Sequence, residues 1–276
     1  MSTLLTEELD QRLERLPPFP QAAARALQEL GRDNTDFTRL EQAIGSDPVL
    51  TARILRIANS PFYGLPRKIA AIKDACILTG APTLRNLIVA AVAMRQFPVN
   101  KSALLDRAAL WRHSAQCAAF AAELAPVARQ ARDTAFTAGL LHDIGKLAID
   151  ALFPEECTRI RERGETLSAE IDVLGATHAD IGARVAELWR LPPAICDAIA
   201  AHHAPLPGNS GSLADVIYTA NVLTHAMADG VNGTEAWSRL PDAVLARFTL
   251  PTDAREALYA RAQTLAAAAA ELFTAT

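Results

Sequence analysis

The chain has 276 residues, of which 50% are hydrophobic, 21% charged and only 5% aromatic. That composition excludes extensive disorder and favours helix over sheet, because strands draw on β-branched and aromatic residues. A net charge of −4 removes any whole-molecule attraction to nucleic-acid phosphates, and no apolar run approaches the roughly 20 residues of a membrane span.

The periodicity is helical from the start. Leu4 to Leu16 reads as an amphipathic helix, stopped by Leu16-Pro17-Pro18-Phe19-Pro20. A second runs from Gln21 to Leu30 and ends at Gly31; a third runs from Asp36 to Ile44. Asp47-Pro48 reads as an N-cap followed by proline in the first helical turn, opening a helix that reaches Asn59. Ser60 to Pro66 is a loop, in which Phe62 and Tyr63 are expected to pack rather than to face solvent. Ile72 to Thr79 and Leu84 to Phe97 are further helices.

Phe97-Pro98-Val99-Asn100 marks a junction. A long helix from Leu104 to Leu124 follows, then one from Asp133 to Ile149. Glu155 to Glu165 is charged and reads as solvated; Ser168 is the expected cap of the next helix. Asp180 to Arg190, Pro193 to His202 and Ser212 to Met227 complete the inner set, and Asp253 to Phe273 forms the tail. No alternation is long enough to build a sheet. The fold class expected is all-α, a multi-helix bundle with an N-terminal helical subdomain. Its divisions are residues 1–98, 99–228 and a C-terminal extension, 229–276. Met1 to Glu8 lacks the basic and apolar regions of a signal peptide, and the four cysteines show no CxxC spacing. Both features point to reduced thiols and a cytoplasmic location.

The six histidines carry the chemistry. His142 and Asp143 stand side by side in an apolar context, and His202 and His203 form a second adjacent pair. His113 and His178 lie on separate helices; His225 reads as structural. A buried carboxylate needs a charged partner, which a divalent cation supplies. Imidazole and carboxylate together suit Mn, Fe, Ni or Zn.

These residues carry a resemblance. His142-Asp143-Ile144-Gly145-Lys146 is similar to the doublet of the HD superfamily of metal-dependent phosphohydrolases. His113 resembles the first ligand position, and His178 in Thr177-His178-Ala179-Asp180-Ile181-Gly182 the next. Trp189-Arg190-Leu191-Pro192, followed by His202-His203, resembles the segment holding the later pair. With Leu16 to Pro20, Ile44 to Ser60 and Ile69 to Gly80 added, the chain from about Leu13 to Met227 resembles the HDOD domain, an HD-related output domain of bacterial signalling proteins.

The resemblance implies a metal set of His113, His142, Asp143, His178, His202 and His203, with Asp143 bridging. In an active enzyme, Lys146 and Asp143 would serve catalysis. Most HDOD domains have lost the doublet; this chain keeps it. It also resembles the HD-GYP cyclic-di-GMP phosphodiesterases at the same positions, with three departures. Asn221 aligns with the aspartate that closes the HD set, Asp215 being six residues too early to replace it. Ala109 stands where a trinuclear site wants a carboxylate, and no Gly-Tyr-Pro follows His203. The function implied is signal transduction through a signalling protein partner or a small nucleotide ligand, with a divalent transition metal as the cofactor. The alternative is an HD phosphohydrolase acting on nucleotides or cyclic dinucleotides. Neither a membrane nor a nucleic acid is an expected partner.

Overall fold

Polar caps start many of the helices. Asp36 accepts from the Thr38 and Arg39 amides, and Asp47 from those of Val49 and Leu50, with Pro48 in the first turn. Thr177 and Asp180 form a reciprocal capping box, as do Ser212 and Asp215. The computed structural model describes residues 9, 11–32, 34–59, 63, 65, 67–97, 105–205, 207 and 211–274. Among them are sixteen helices and no strand. The expectations for Phe62 and for the junction at 98–100 lie outside the described residues.

The first five helices are α1 (Gln21–Glu29), α2 (Phe37–Gly45), α3 (Pro48–Ala58), α4 (Ile72–Thr79) and α5 (Ala81–Gln96). They enclose one apolar core, with Leu40, Ile44, Ile54, Leu84, Leu87 and Ile88 fully buried. Asn59 closes α3 by donating to the Leu55 and Ile69 carbonyls and accepting from the Ile69 amide.

A second, larger core is built by α6 (Arg107–Leu124), α7 (Arg132–Leu141), α8 (Ile144–Leu152), α9 (Pro154–Glu162), α10 (Leu167–Leu174), α11 (His178–Leu188), α12 (Pro193–Ala200) and α13 (Leu213–Ala228). Three shorter or peripheral elements follow: α14 (Gly233–Ser238), α15 (Asp242–Leu245) and α16 (Thr252–Thr274). The two cores meet along α5, α6 and α7, which send different faces to each. Ala118 and Phe136 face the first core, Phe120 and Leu141 the second. Tyr63 packs edge-on against Phe136, with ring centroids 6.1 Å apart. Alanine lets α16 lie close on α6, with Ala262, Ala266 and Ala269 fully buried. The alanine run at 266–270 is helix, as its composition suggests.

Three local expectations are changed or refined. The helix expected from Asp133 to Ile149 is broken at His142 and Asp143, which form a turn between α7 and α8. The charged segment, solvated at most positions as expected, is helical as α9 and buries Ile160. Thr166, not Ser168, caps α10: its backbone is extended and its hydroxyl accepts from the Ala169 amide, while Ser168 already lies in the first turn. No helix among the described residues is long and apolar enough to cross a membrane.

Candidate metal centre

The turn between α7 and α8 sets the site. Asp143 leaves the helical path at φ −97° and ψ 13°. Just beyond it, Gly145 lies against α11. A methyl group at Gly145 would run into the His178 carbonyl and lie 2.7 Å from the Gly182 nitrogen. Only a side chain of hydrogen lets α8 approach α11 this closely, and that approach seats His178 beside Asp143.

Five imidazoles converge on this one carboxylate. From Asp143 Oδ1, His178 Nε2 lies at 3.2 Å and His202 Nε2 at 3.5 Å. From Oδ2, His142 Nε2 lies at 3.5 Å and His113 Nε2 at 3.9 Å. His203 Nε2 completes the group, 2.8 Å from His178 Nε2. The structure therefore brings together two overlapping donor groups that share Asp143. One adds His178, His202 and His203, the other His113 and His142.

Three rings have their tautomers dictated by their surroundings. His142 Nδ1 donates to the Gly139 carbonyl at 2.7 Å, and His202 Nδ1 to the Ile199 carbonyl at 2.6 Å. His178 Nδ1 donates to the Glu170 carboxylate at 2.8 Å. Carbonyls and carboxylates only accept, so each Nδ1 carries the proton and each neutral ring turns a lone pair inward through Nε2. His178 Nε2 and His202 Nε2 then face one another at 3.2 Å. Facing lone pairs repel unless a cation or a proton lies between them. His142 Nε2 and Asp143 Oδ1 are buried and have no hydrogen-bond partner at all. Such orphaned acceptors, with the outer nitrogens already held, are what a divalent cation requires of its ligands. The residues fit a metal.

The protonation balance agrees. Burial keeps the His142 ring neutral, far below its usual range. Burial likewise depresses His113 to about 4 and, with the charges of His202 and His178, His203 to about 3. Burial opposes ionisation of Asp143, but His142, Lys146, and the facing His178 and His202 outweigh it and hold the carboxyl well below its usual value. His178 is the exception: burial acts to lower it, yet the carboxylates of Asp143 and Glu170 on either side raise it.

The remaining sequence candidates are accounted for as follows. Lys146 Nζ donates to Asp143 Oδ2 at 2.8 Å and is partly exposed. Asn221 reaches the centre: its Nδ2 donates to the His202 carbonyl at 3.4 Å and its Oδ1 lies 3.2 Å from His113 Nε2. That amide oxygen accepts, so His113 Nε2 carries the proton in this arrangement. The His113 side is the weaker half of the site. Asp215 is remote, bound to Arg247 and to its own capping box. Two residues escaped the sequence reading. Glu170, the partner of His178, sits eight residues away and only the fold brings it near. His225, read as structural, lies with its ring 4.8 Å from that of His113.

A pocket of about 480 Å³ opens on the centre. His113, Asp143, Lys146 and His225 form one end. Leu105, Leu110, Ile149 and Ile160 form apolar walls, and Arg161 and Glu165, both exposed as expected of their segment, are also in its lining.

Comparison with known proteins agrees with the all-α fold. The family model of the HDOD domain matches residues 16–205. A crystal structure from Shewanella amazonensis SB2B, of a protein with a provisional phosphohydrolase name, is 26% identical, with a TM-score of 0.74 over 99% of this chain and 98% of that one. An HDOD domain protein of unknown function from Geobacter sulfurreducens is 24% identical, with a TM-score of 0.75 over 98% of both chains. An uncharacterized protein of Treponema pallidum (strain Nichols) is 24% identical over 273 residues, which is 96% of this chain and 52% of that protein. The chain thus spans about half the length of that relative.

Proposed function

This chain belongs to the HDOD domain family, and from that premise we propose that it is a cytoplasmic bacterial signal-transduction protein that holds a divalent metal ion and, beside it, a small ligand. One observation carries the reading. Three buried imidazoles are locked through Nδ1, so that their Nε2 atoms face a carboxylate whose Oδ1 has no other partner. The ligands are His142, Asp143, His178, His202 and His203, with His113 on the weaker side; the metal is Mn, Fe, Ni or Zn.

A bound cation would supply positive charge and Lewis acidity towards a phosphate or carbonyl oxygen. The chain's own residues do the rest. Glu170 orients His178, and Lys146 presents an ammonium group to the pocket while holding Asp143. The ligand occupies the pocket, and a signalling partner reads the result.

Phosphohydrolase turnover is the second reading. It is favoured by the presence of both Asp143 and Lys146 in the lining of the pocket. It is weakened at Asn221, a neutral amide where the family's last carboxylate would stand, and at Ala109, which offers no donor.

The test is elemental analysis of protein purified without a histidine tag or chelator, beside His142→Ala and Asp143→Ala. The expected result is about one or more transition-metal ions per chain, lost in both variants while the helical circular dichroism remains. No metal after reconstitution with Mn, Fe, Ni and Zn overturns the proposal. Release of phosphate from cyclic dinucleotides or nucleotides by the loaded protein would favour the second reading.

A further inference from the structure

The pocket beside the candidate metal centre is chemically lopsided. Its inner end is polar, formed by His113, Asp143, Lys146 and His225. Its walls are aliphatic: Leu105, Leu110, Ile149 and Ile160, joined by Cys157 of α9. Among the described residues that line it, no phenylalanine, tyrosine or tryptophan appears. Proteins hold nucleobases largely by stacking them on such rings, each worth roughly 1–3 kcal/mol. The rings in the lining, those of His113 and His225, pack against each other 4.8 Å apart at the polar end, so the aliphatic walls offer no such platform.

Charge is the second restriction. Four carboxylates line the pocket, those of Asp106, Asp143, Glu165 and Glu170, against the two cationic side chains of Lys146 and Arg161. Arg161 is already engaged by Glu165 at 3.5 Å. A divalent ion at the centre would bring this lining to about neutral. One phosphate group can then be accommodated at the inner end. A di- or triphosphate, or a cyclic dinucleotide with two separated phosphates, would set further negative charge against Asp106 and Glu165 without a compensating cation.

Resting on the metal-binding reading above, we propose that the ligand of this pocket is a phosphate monoester with a small aliphatic body, not a nucleotide. Its phosphate sits against Lys146 and the metal centre. Its alkyl portion lies on Leu105, Leu110, Ile149 and Ile160, where burial of each methylene removes apolar surface from water. A volume of about 480 Å³ is ample for a phosphate with a chain of several carbons.

The test uses the full chain loaded with Mn or Zn, its metal content measured first on the same sample. Calorimetric titrations compare inorganic phosphate, hexyl phosphate, adenosine monophosphate and cyclic di-GMP. Hexyl phosphate is expected to bind at least tenfold more tightly than inorganic phosphate and than either nucleotide. Leu105→Asn and Cys157→Asn, both at partly exposed positions, are expected to remove that advantage while metal content and inorganic-phosphate affinity persist, because neither changes the charge of the lining. Tighter binding of either nucleotide, no gain from the hexyl chain, or full hexyl affinity in both variants would overturn the proposal. A sample that takes up no metal overturns the metal reading and this proposal together, and the elemental analysis separates that outcome from failure of the pocket alone.

Discussion

The two cores share three helices but bury different chemistry. The N-terminal core is mostly leucines, isoleucines and alanines, and two buried polar groups beside it are tied to backbone. Glu29 accepts from the Asp36 amide, and Gln96 donates to the Pro17 and Pro18 carbonyls. The C-terminal core buries His142, Asp143, His178 and His202 together and leaves two of their acceptors without partners. An unpaired buried charge or acceptor costs several kcal/mol unless something compensates it. The first core is explained by folding alone; the second gathers donor groups that could hold a metal ion.

Four substitutions would break or sharpen that contrast. The largest effect is expected at Gly145, where the two demands coincide. Gly145→Ala forces a methyl group into the backbone of α11, so it should cost about 3 kcal/mol or more and also reduce metal content. Normal metal uptake at unchanged melting temperature would show that the α8–α11 approach does not set the site.

Ile54→Ala empties part of the N-terminal core, where Ile54 is fully buried. It should destabilise by about 2–5 kcal/mol in a denaturant titration, yet leave metal stoichiometry unchanged in the folded protein. Loss of metal from folded Ile54→Ala would join the two cores functionally.

Asn221→Asp acts in the opposite direction. A carboxylate beside His113 adds a negative charge and replaces a neutral amide oxygen with an anionic oxygen donor, which a cation can reach by displacing the ring's proton. Metal affinity should rise about tenfold, equivalent to about 1.4 kcal/mol. A competition assay against a chelator measures it, and equal affinities would place residue 221 outside the metal's reach.

The smallest effect is expected at a cap of the N-terminal unit. Asp47→Ala removes the acceptor for Val49 and Leu50 and should cost about 1 kcal/mol. The Leu50 amide, against the effect of burial and together with Arg95, holds the Asp47 carboxyl below its ordinary 3.8. A depressed folded value means that the ionised form stabilises the fold. That stability is fully present above pH 3.8 and is lost as pH falls through the lower folded value. The gap between wild type and variant should therefore close in acid; a constant gap would mean that the cap works without its charge.

Much of this was legible along the chain. A cap such as Asp47 with Pro48 acts over three or four residues, so its helix begins where the local pattern puts it. The donor types were legible too, because buried histidines next to an aspartate have few other uses. Other features were not legible. The charged stretch of α9 reads as solvent-facing, yet Ile160 and Arg161 line the pocket, because a helix lying over a cavity presents a mixed face. The break at His142–Asp143 is invisible to periodicity, since the apolar pattern continues through it.

The sequence by itself determined the all-helical class, the HDOD resemblance and the identity of the inward donors. These depend on residue type and on spacing within a few turns. The tertiary structure decided which atoms meet. Gly145 against α11 brings His178 to Asp143, Glu170 and two carbonyls orient three rings, and Asn221 comes from a distant helix to occupy His113. Those outcomes depend on how closely helices far apart in the chain approach one another, and packing sets that distance.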